Sequence, residues 1–130
     1  MRIAIVSPYS WSYPGGVARH IEALAASHRQ AGHEVRIITP VDPPGPRSTR
    51  LHGGTAPQER QLDGHIVDLG RTVGIPANGA VSNLSLSPAA VQRLGEALAE
   101  GNFDVVHVHE PVVPLISWMA LNCSSTALVA

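Results

Sequence analysis

The chain has 130 residues, a mass of 13.7 kDa and 44% hydrophobic residues, enough for one domain with a genuine core. Only 15% of its residues are charged and the net charge is -1, which excludes a charge-rich disordered chain and the basic surface of a nucleic-acid binder. The single cysteine, Cys123, excludes an intrachain disulfide and sets a reducing, cytoplasmic location as the expectation, while the apolar runs are too short for an export signal or a bilayer span.

Taken in chain order, Arg2 to Val6 reads as a buried strand of a parallel sheet, because the β-branched run is continuous rather than alternating. Ser7 to Gly16 is a loop of Ser, Pro, Gly and aromatics. Val17, Ile21, Leu24, Ala25 and His28 share one face of a helix that runs to about Ala31 and stops at Gly32. Glu34 to Thr39 is the next strand, which completes a right-handed crossover unit. Pro40 to Gly64 carries five of the eleven prolines without periodicity and reads as one long irregular loop.

His65 to Leu69 is a third strand, residues 70 to 79 a turn-rich segment, and Ala80 to Leu86 an edge strand or hairpin arm. Ser87 and Pro88 open a helix that closes at Gly101. Phe103 to His109 is a buried strand, Pro114 to Asn122 a short helix, and Thr126 to Ala130 a last strand. Strands alternating with helices predict an α/β fold with a parallel, Rossmann-like sheet covered on both faces.

Two places could carry chemistry. Tyr13-Pro14-Gly15-Gly16-Val17 joins the first strand to the first helix. There glycines let a ligand approach the backbone, and a helix N-terminus offers free N–H groups and positive potential to a phosphate. A tight turn would use the same residues. The dinucleotide fingerprint and the Walker A pattern are both absent, so NAD-dependent redox chemistry and P-loop nucleotide hydrolysis are disfavoured.

The second place is His107-Val108-His109-Glu110-Pro111, at the carboxyl end of a strand. His107 and His109 share a sheet face. His107 reads as a hydrogen-bonded core histidine, whereas His109 and Glu110 suit a pocket wall or a structural role equally. A metal hydrolase would use His107 and His109 with further ligands from His52 or His65.

Together with Met1 to Tyr9, His20 and Ala31-Gly-His-Glu-Val35, these motifs form a set that resembles the amino-terminal domain of family-4 retaining glycosyltransferases of the GT-B fold. Within that family the set is most similar to the phosphatidylinositol mannosyltransferases of actinobacteria. The likeness continues through Ile75 to Gly79 and Met119 to Asn122 and covers nearly all the chain outside Pro40 to Gly64.

The resemblance implies that residues 1–130 form a partial, acceptor-side Rossmann-like domain. The donor-binding domain and a functional histidine would lie beyond Ala130, leaving this piece inactive by itself. It implies transfer of a sugar, mannosyl first, from a nucleotide sugar such as GDP-mannose or a UDP-sugar to a lipid or small-molecule acceptor. Transfer would proceed with retention and without a metal or other cofactor. Carried over by residue, Gly15 and Gly16 would bind the donor diphosphate, Tyr9, Pro14 and Asn78 would line the acceptor side, and His109 and Glu110 would face the cleft. His109 would then be the candidate catalytic residue.

Ala18 and Ala77 stand where those mannosyltransferases carry glutamine and tyrosine. A single Arg93 replaces their basic helix, which leaves at most peripheral contact with the inner face of the plasma membrane. The rival class is a non-catalytic Rossmann-like binding module.

Overall fold

The computed structural model describes residues 1–77, 79–123 and 125–130. Its elements are β1 (Arg2–Val6), α1 (Gly16–Gln30), β2 (Glu34–Thr39), α2 (Pro46–Leu51), β3 (Ile66–Asp68), β4 (Val73–Ala77), β5 (Ala80–Leu84), α3 (Pro88–Glu100), β6 (Val105–Val108), α4 (Ile116–Cys123) and β7 (Ala127–Val129). Five strands form a sheet in the order β3-β2-β1-β6-β7, and every pairing in it is parallel. β4 and β5 make a separate antiparallel hairpin.

Alternation along β1 sets the two layers. Ile3 and Ile5 point to one face and pack with Trp11, Ile21, Ala25, Val35 and Ile37 beneath α1. Ala4 and Val6 point to the other and pack with Ile38, Leu94, Val106, Val108 and Ile116 beneath α3 and α4. Full burial of each such isoleucine or leucine contributes about 1.5–3 kcal/mol.

Local signals fix the helix ends. At the end of α1, Gly32 (φ +85°) adopts the left-handed turn, its N–H donates to the Arg29 carbonyl at 2.9 Å, and the His33 N–H donates to the His28 carbonyl at 3.0 Å. This is the double hydrogen-bonded stop that glycine makes inexpensive. At the start of α3 the Ser87 hydroxyl accepts from the Ala89 N–H at 3.2 Å, and Pro88 occupies the first turn. Gly101, the C-cap of α3, keeps a right-handed backbone, and the Phe103 ring occupies the space where a Cβ would stand.

Two expectations are corrected. The segment from Pro40 to Gly64 is not all irregular, because Pro46 begins the six-residue α2. So short a helix shows no apolar period. It is held instead by polar bonds, with the Ser48 hydroxyl donating to the Pro43 carbonyl at 2.7 Å. The segment from 70 to 79 is not all turn, because Val73–Ala77 is a strand that pairs with Ala80–Leu84. Gly74 and Pro76 hide its pattern, and a two-stranded ribbon accepts a proline that a central strand would exclude. Among the described residues, no helix is long and apolar enough to cross a membrane.

Candidate active site

The sheet order places β6 directly beside β1, although a crossover helix and β2 follow β1 in sequence. The connections leaving β1 and β6 therefore diverge, and a ligand crevice is expected at their carboxyl ends. A hollow of about 210 Å³ opens there, lined among others by Ser7, Tyr9, Tyr13, Gly15, Gly16 and Asn83.

The glycine pair forms its floor. Gly15 is the extended residue just before α1 (φ -123°), no side chain caps the helix, and no acidic residue stands in its first turn. Arg19 is the first to donate back, to the Gly15 carbonyl at 3.2 Å, so the N–H groups of Gly16, Val17 and Ala18 precede any helical acceptor. A Cβ added at Gly15 or Gly16 would meet nothing within 4 Å. Neither backbone conformation nor packing demands glycine here, which removes the tight-turn explanation. Gly15 and Gly16 both line the crevice with no side chain of their own.

Tyr9 stands across from them and forms an isolated bridge with Leu84, while the Ser10 N–H donates to the Asn83 carbonyl at 3.0 Å. The β4–β5 hairpin thereby becomes a wall of the crevice through Val81, Ser82 and Asn83. Burial raises the Tyr9 pKa above its ordinary value, and the charge of Glu110 raises it further. Tyr9 is thus a neutral hydroxyl able to donate or accept a hydrogen bond.

His109 and Glu110 lie at the end of β6. Glu110 holds a left-handed conformation (φ 53°), which costs a non-glycine residue about 1–3 kcal/mol and is concentrated at functional positions. The His109 ring stacks on His107 at 4.5 Å and meets His20 of α1 edge-on at 5.6 Å. Its Nε2 is buried without a hydrogen-bond partner among the described residues. Burial, then His107, then His20 lower its pKa to about 4, so the ring is a neutral imidazole at neutral pH. His107 is lowered by burial first and by His28 and His20 after it. Its ring stacks on His109, and among the described residues it has none of the hydrogen bonds expected of a core histidine.

Of the sequence-predicted site residues, Tyr9, Gly15 and Gly16 come together in the crevice. Pro14 sits between two lining residues without lining the crevice itself, and Asn78 lies outside the described residues. His109 and Glu110, expected to face the cleft, are not among the residues that line it; His109 meets His20 of α1, and Glu110 is close enough to Tyr9 to raise its pKa.

The metal-hydrolase reading is not supported by these positions. His52 spends its ring nitrogens on the Ser48 carbonyl (2.6 Å) and the Thr72 hydroxyl (2.8 Å), and His65 precedes β3, three strands away from β6. Among the described residues no three His, Cys, Asp or Glu side chains gather closely enough to hold a metal ion.

Sequence reasoning missed the support behind the crevice. The Asp42 carboxylate is buried and accepts from the Ser10 hydroxyl (2.6 Å), the Thr72 N–H (2.9 Å) and the Thr72 hydroxyl (2.6 Å). The Ser12 hydroxyl donates to the Asp42 carbonyl at 2.8 Å and accepts from the Asp42 N–H at 3.0 Å. Tyr13 stacks on His52 at 4.2 Å. The loop carrying the glycine turn is thereby tied to the ends of β2, α2 and the approach to β4. A lone acid in a Pro-rich segment gives no sequence signal for such a hub. A larger hollow of about 560 Å³ lies on its far side, but Asp42 and Arg60, which line it, are already committed to internal contacts.

Comparison with known proteins adds to this geometry. The family described as Glycosyltransferase Family 4 matches residues 14–130. The whole chain is 38% identical to the phosphatidyl-myo-inositol mannosyltransferase of Mycolicibacterium smegmatis and spans 30% of it. The corresponding proteins of Mycobacterium leprae and Propionibacterium freudenreichii are 37% and 35% identical over the same 130 residues, with 31% and 32% of their lengths covered. The chain thus spans about a third of the curated relatives it matches.

Proposed function

The chain belongs to glycosyltransferase family 4, and from that premise we propose that its switch-point crevice serves mannosyl transfer from a nucleotide sugar to a lipid or small-molecule acceptor, with retention. One observation carries this reading. Two glycines that neither conformation nor packing requires line the crevice at the start of α1, a helix end that no side chain caps among the described residues. The N–H groups of that helix end would bind the donor diphosphate and stabilise the charge that grows on it as the glycosidic bond breaks. Tyr9 faces them from the acceptor side as a neutral hydroxyl. His109 would contribute hydrogen bonding as a neutral ring rather than as a cation. The strained Glu110 fixes where that ring and the following loop leave the sheet.

The test is transfer of labelled mannose from GDP-mannose, with UDP-sugars in parallel, by protein made from the complete reading frame. Phosphatidylinositol and a soluble polyol serve as acceptors. Label should reach one of the acceptors. Gly16→Ala should fold normally and lose about 100-fold in rate, because a methyl group displaces the diphosphate by about 1 Å. Absence of both transfer and hydrolysis with every nucleotide sugar would overturn the proposal.

A further inference from the structure

Gly15 and Gly16 carry no side chain, and nothing stands within 4 Å of where either Cβ would be. Glycine gives up more conformational freedom on ordering than any other residue. The order of this turn therefore has to come from what flanks it. Upstream stand Trp11, Ser12 and Tyr13, and downstream the body of α1.

Residues 55–60 hold the upstream side. The Tyr13 hydroxyl donates to the Thr55 carbonyl at 3.1 Å, the Gln58 N–H donates to the Ser12 carbonyl at 2.8 Å, and the Arg60 guanidinium donates to the Trp11 carbonyl at 3.1 Å. The partners run in opposite chain order, so the segment lies antiparallel along the loop as a strap. It belongs to the stretch from Pro40 to Gly64, outside the shared motifs.

Arg60 also reaches the downstream side. Its guanidinium lies over the Trp11 ring at 4.3 Å, and its Nη2 pairs with Glu22 of α1. The Arg60 side chain is only 20% exposed, against 39% and 41% for Arg2 and Arg36, which pair with Glu34. A sheltered pair of this kind is screened less than an open one. Trp11 is itself buried beneath α1 with Ala18 and Ile21, and it lines the crevice, whereas Arg60 does not. One planar fork thus ties Trp11, ahead of the glycine pair, to Glu22, beyond it.

We infer that Arg60 is a positioning residue for the glycine turn, clipping Trp11 to Glu22 so that the backbone of Gly15 and Gly16 is ordered before a ligand arrives. Its consequence for catalysis rests on the mannosyl-transfer reading above; the clip itself does not. In that reaction the charge on the diphosphate grows as the bond breaks, so misplaced N–H donors weaken the transition state more than the ground state.

Amide relaxation NMR of the purified chain reads the turn directly. In Arg60→Gln the order parameters of Gly15 and Gly16 should fall from about 0.85, typical of rigid backbone, to below about 0.6. Glu22→Gln breaks only the far end of the clip and should give the same change. Amides of β1 and β2 should keep their order in both variants. With protein made from the complete reading frame, Arg60→Gln should lower kcat for mannosyl transfer about tenfold and leave the KM for GDP-mannose unchanged. Arg60→Lys, which keeps the charge but not the fork, should fall between the two. Ordered glycines in Arg60→Gln overturn the inference, as does a loss of order that extends through β1 and β2, the mark of a general contact of the fold. A mobile turn with unchanged kcat overturns the positioning role. If the unaltered protein transfers no sugar, the mannosyl reading fails and the glycine order still decides the clip.

Discussion

In residues 1–39, β1, α1 and β2 bury Ile3, Ile5, Ile21, Ala25, Val35 and Ile37 against one another. In residues 40–86 the loops, α2 and the hairpin are organised around one carboxylate, Asp42, and its bonds to Ser10, Thr72 and, through Thr72, His52. The first region spreads its stability over many interchangeable apolar contacts, each small and non-directional. The second concentrates it in a few buried polar bonds that are costly to leave unmade. The crevice lies where the two meet. Gly15 and Gly16 line it from the apolar unit, and Val81 to Asn83 line it from the polar one.

This contrast can be broken by measurement. The largest effect is expected for Asp42→Ala, which strands the donors of Ser10 and Thr72 in the interior. It should cost about 3–5 kcal/mol of unfolding free energy by denaturant titration. Asp42→Asn keeps an acceptor for the Thr72 N–H and should lose less. Ile21→Ala, in the apolar unit, should cost about 2–4 kcal/mol through lost transfer energy and a partly relaxed cavity. If Ile21→Ala proved the more damaging, the Asp42 hub would not be the dominant tie of the second region.

Acidification should sharpen the view of the sheet edge. Folded His109 takes a proton only near pH 4, against an ordinary value of 6.5. Between those values the unfolded chain binds more protons, so stability present at neutral pH is lost as pH falls through that window. For a half-buried ring, solvent screening reduces the effect to about 1–2 kcal/mol. His109→Asn should flatten that part of a melting-temperature profile against pH; an unchanged slope would mean that the histidine stack does not control it. The smallest effect, about 1 kcal/mol, is expected for Ser87→Ala, which removes the α3 cap, and a thermal melt detects it.

Legibility followed the same division. The run Arg2–Val6, the apolar stripe of α1, the stop at Gly32 and the cap at Ser87 were readable because each is a local pattern with a local cause. The segment from 40 to 79 was misread in two places. The turns of α2 are too few to display a period, and Gly74 and Pro76 interrupt the alternation of β4. Gly15 and Gly16 could be picked out as candidates because of where they fall between a strand and a helix. That neither was needed for a turn could be decided only from their conformation and the empty space above them.

The elements other than α2 and β4, and the place of Gly15 and Gly16 between a strand and a helix, were therefore set by local pattern in the chain, since strand and helix periods act over a few residues. Which strands became neighbours was decided by the tertiary structure. It also brought Val81 to Asn83 to the crevice wall, bound Asp42 to Ser10 and Thr72, and set Arg60 between Trp11 and Glu22. Those groups lie tens of residues apart, and directional hydrogen bonds and charges between distant segments leave no period in the sequence that joins them.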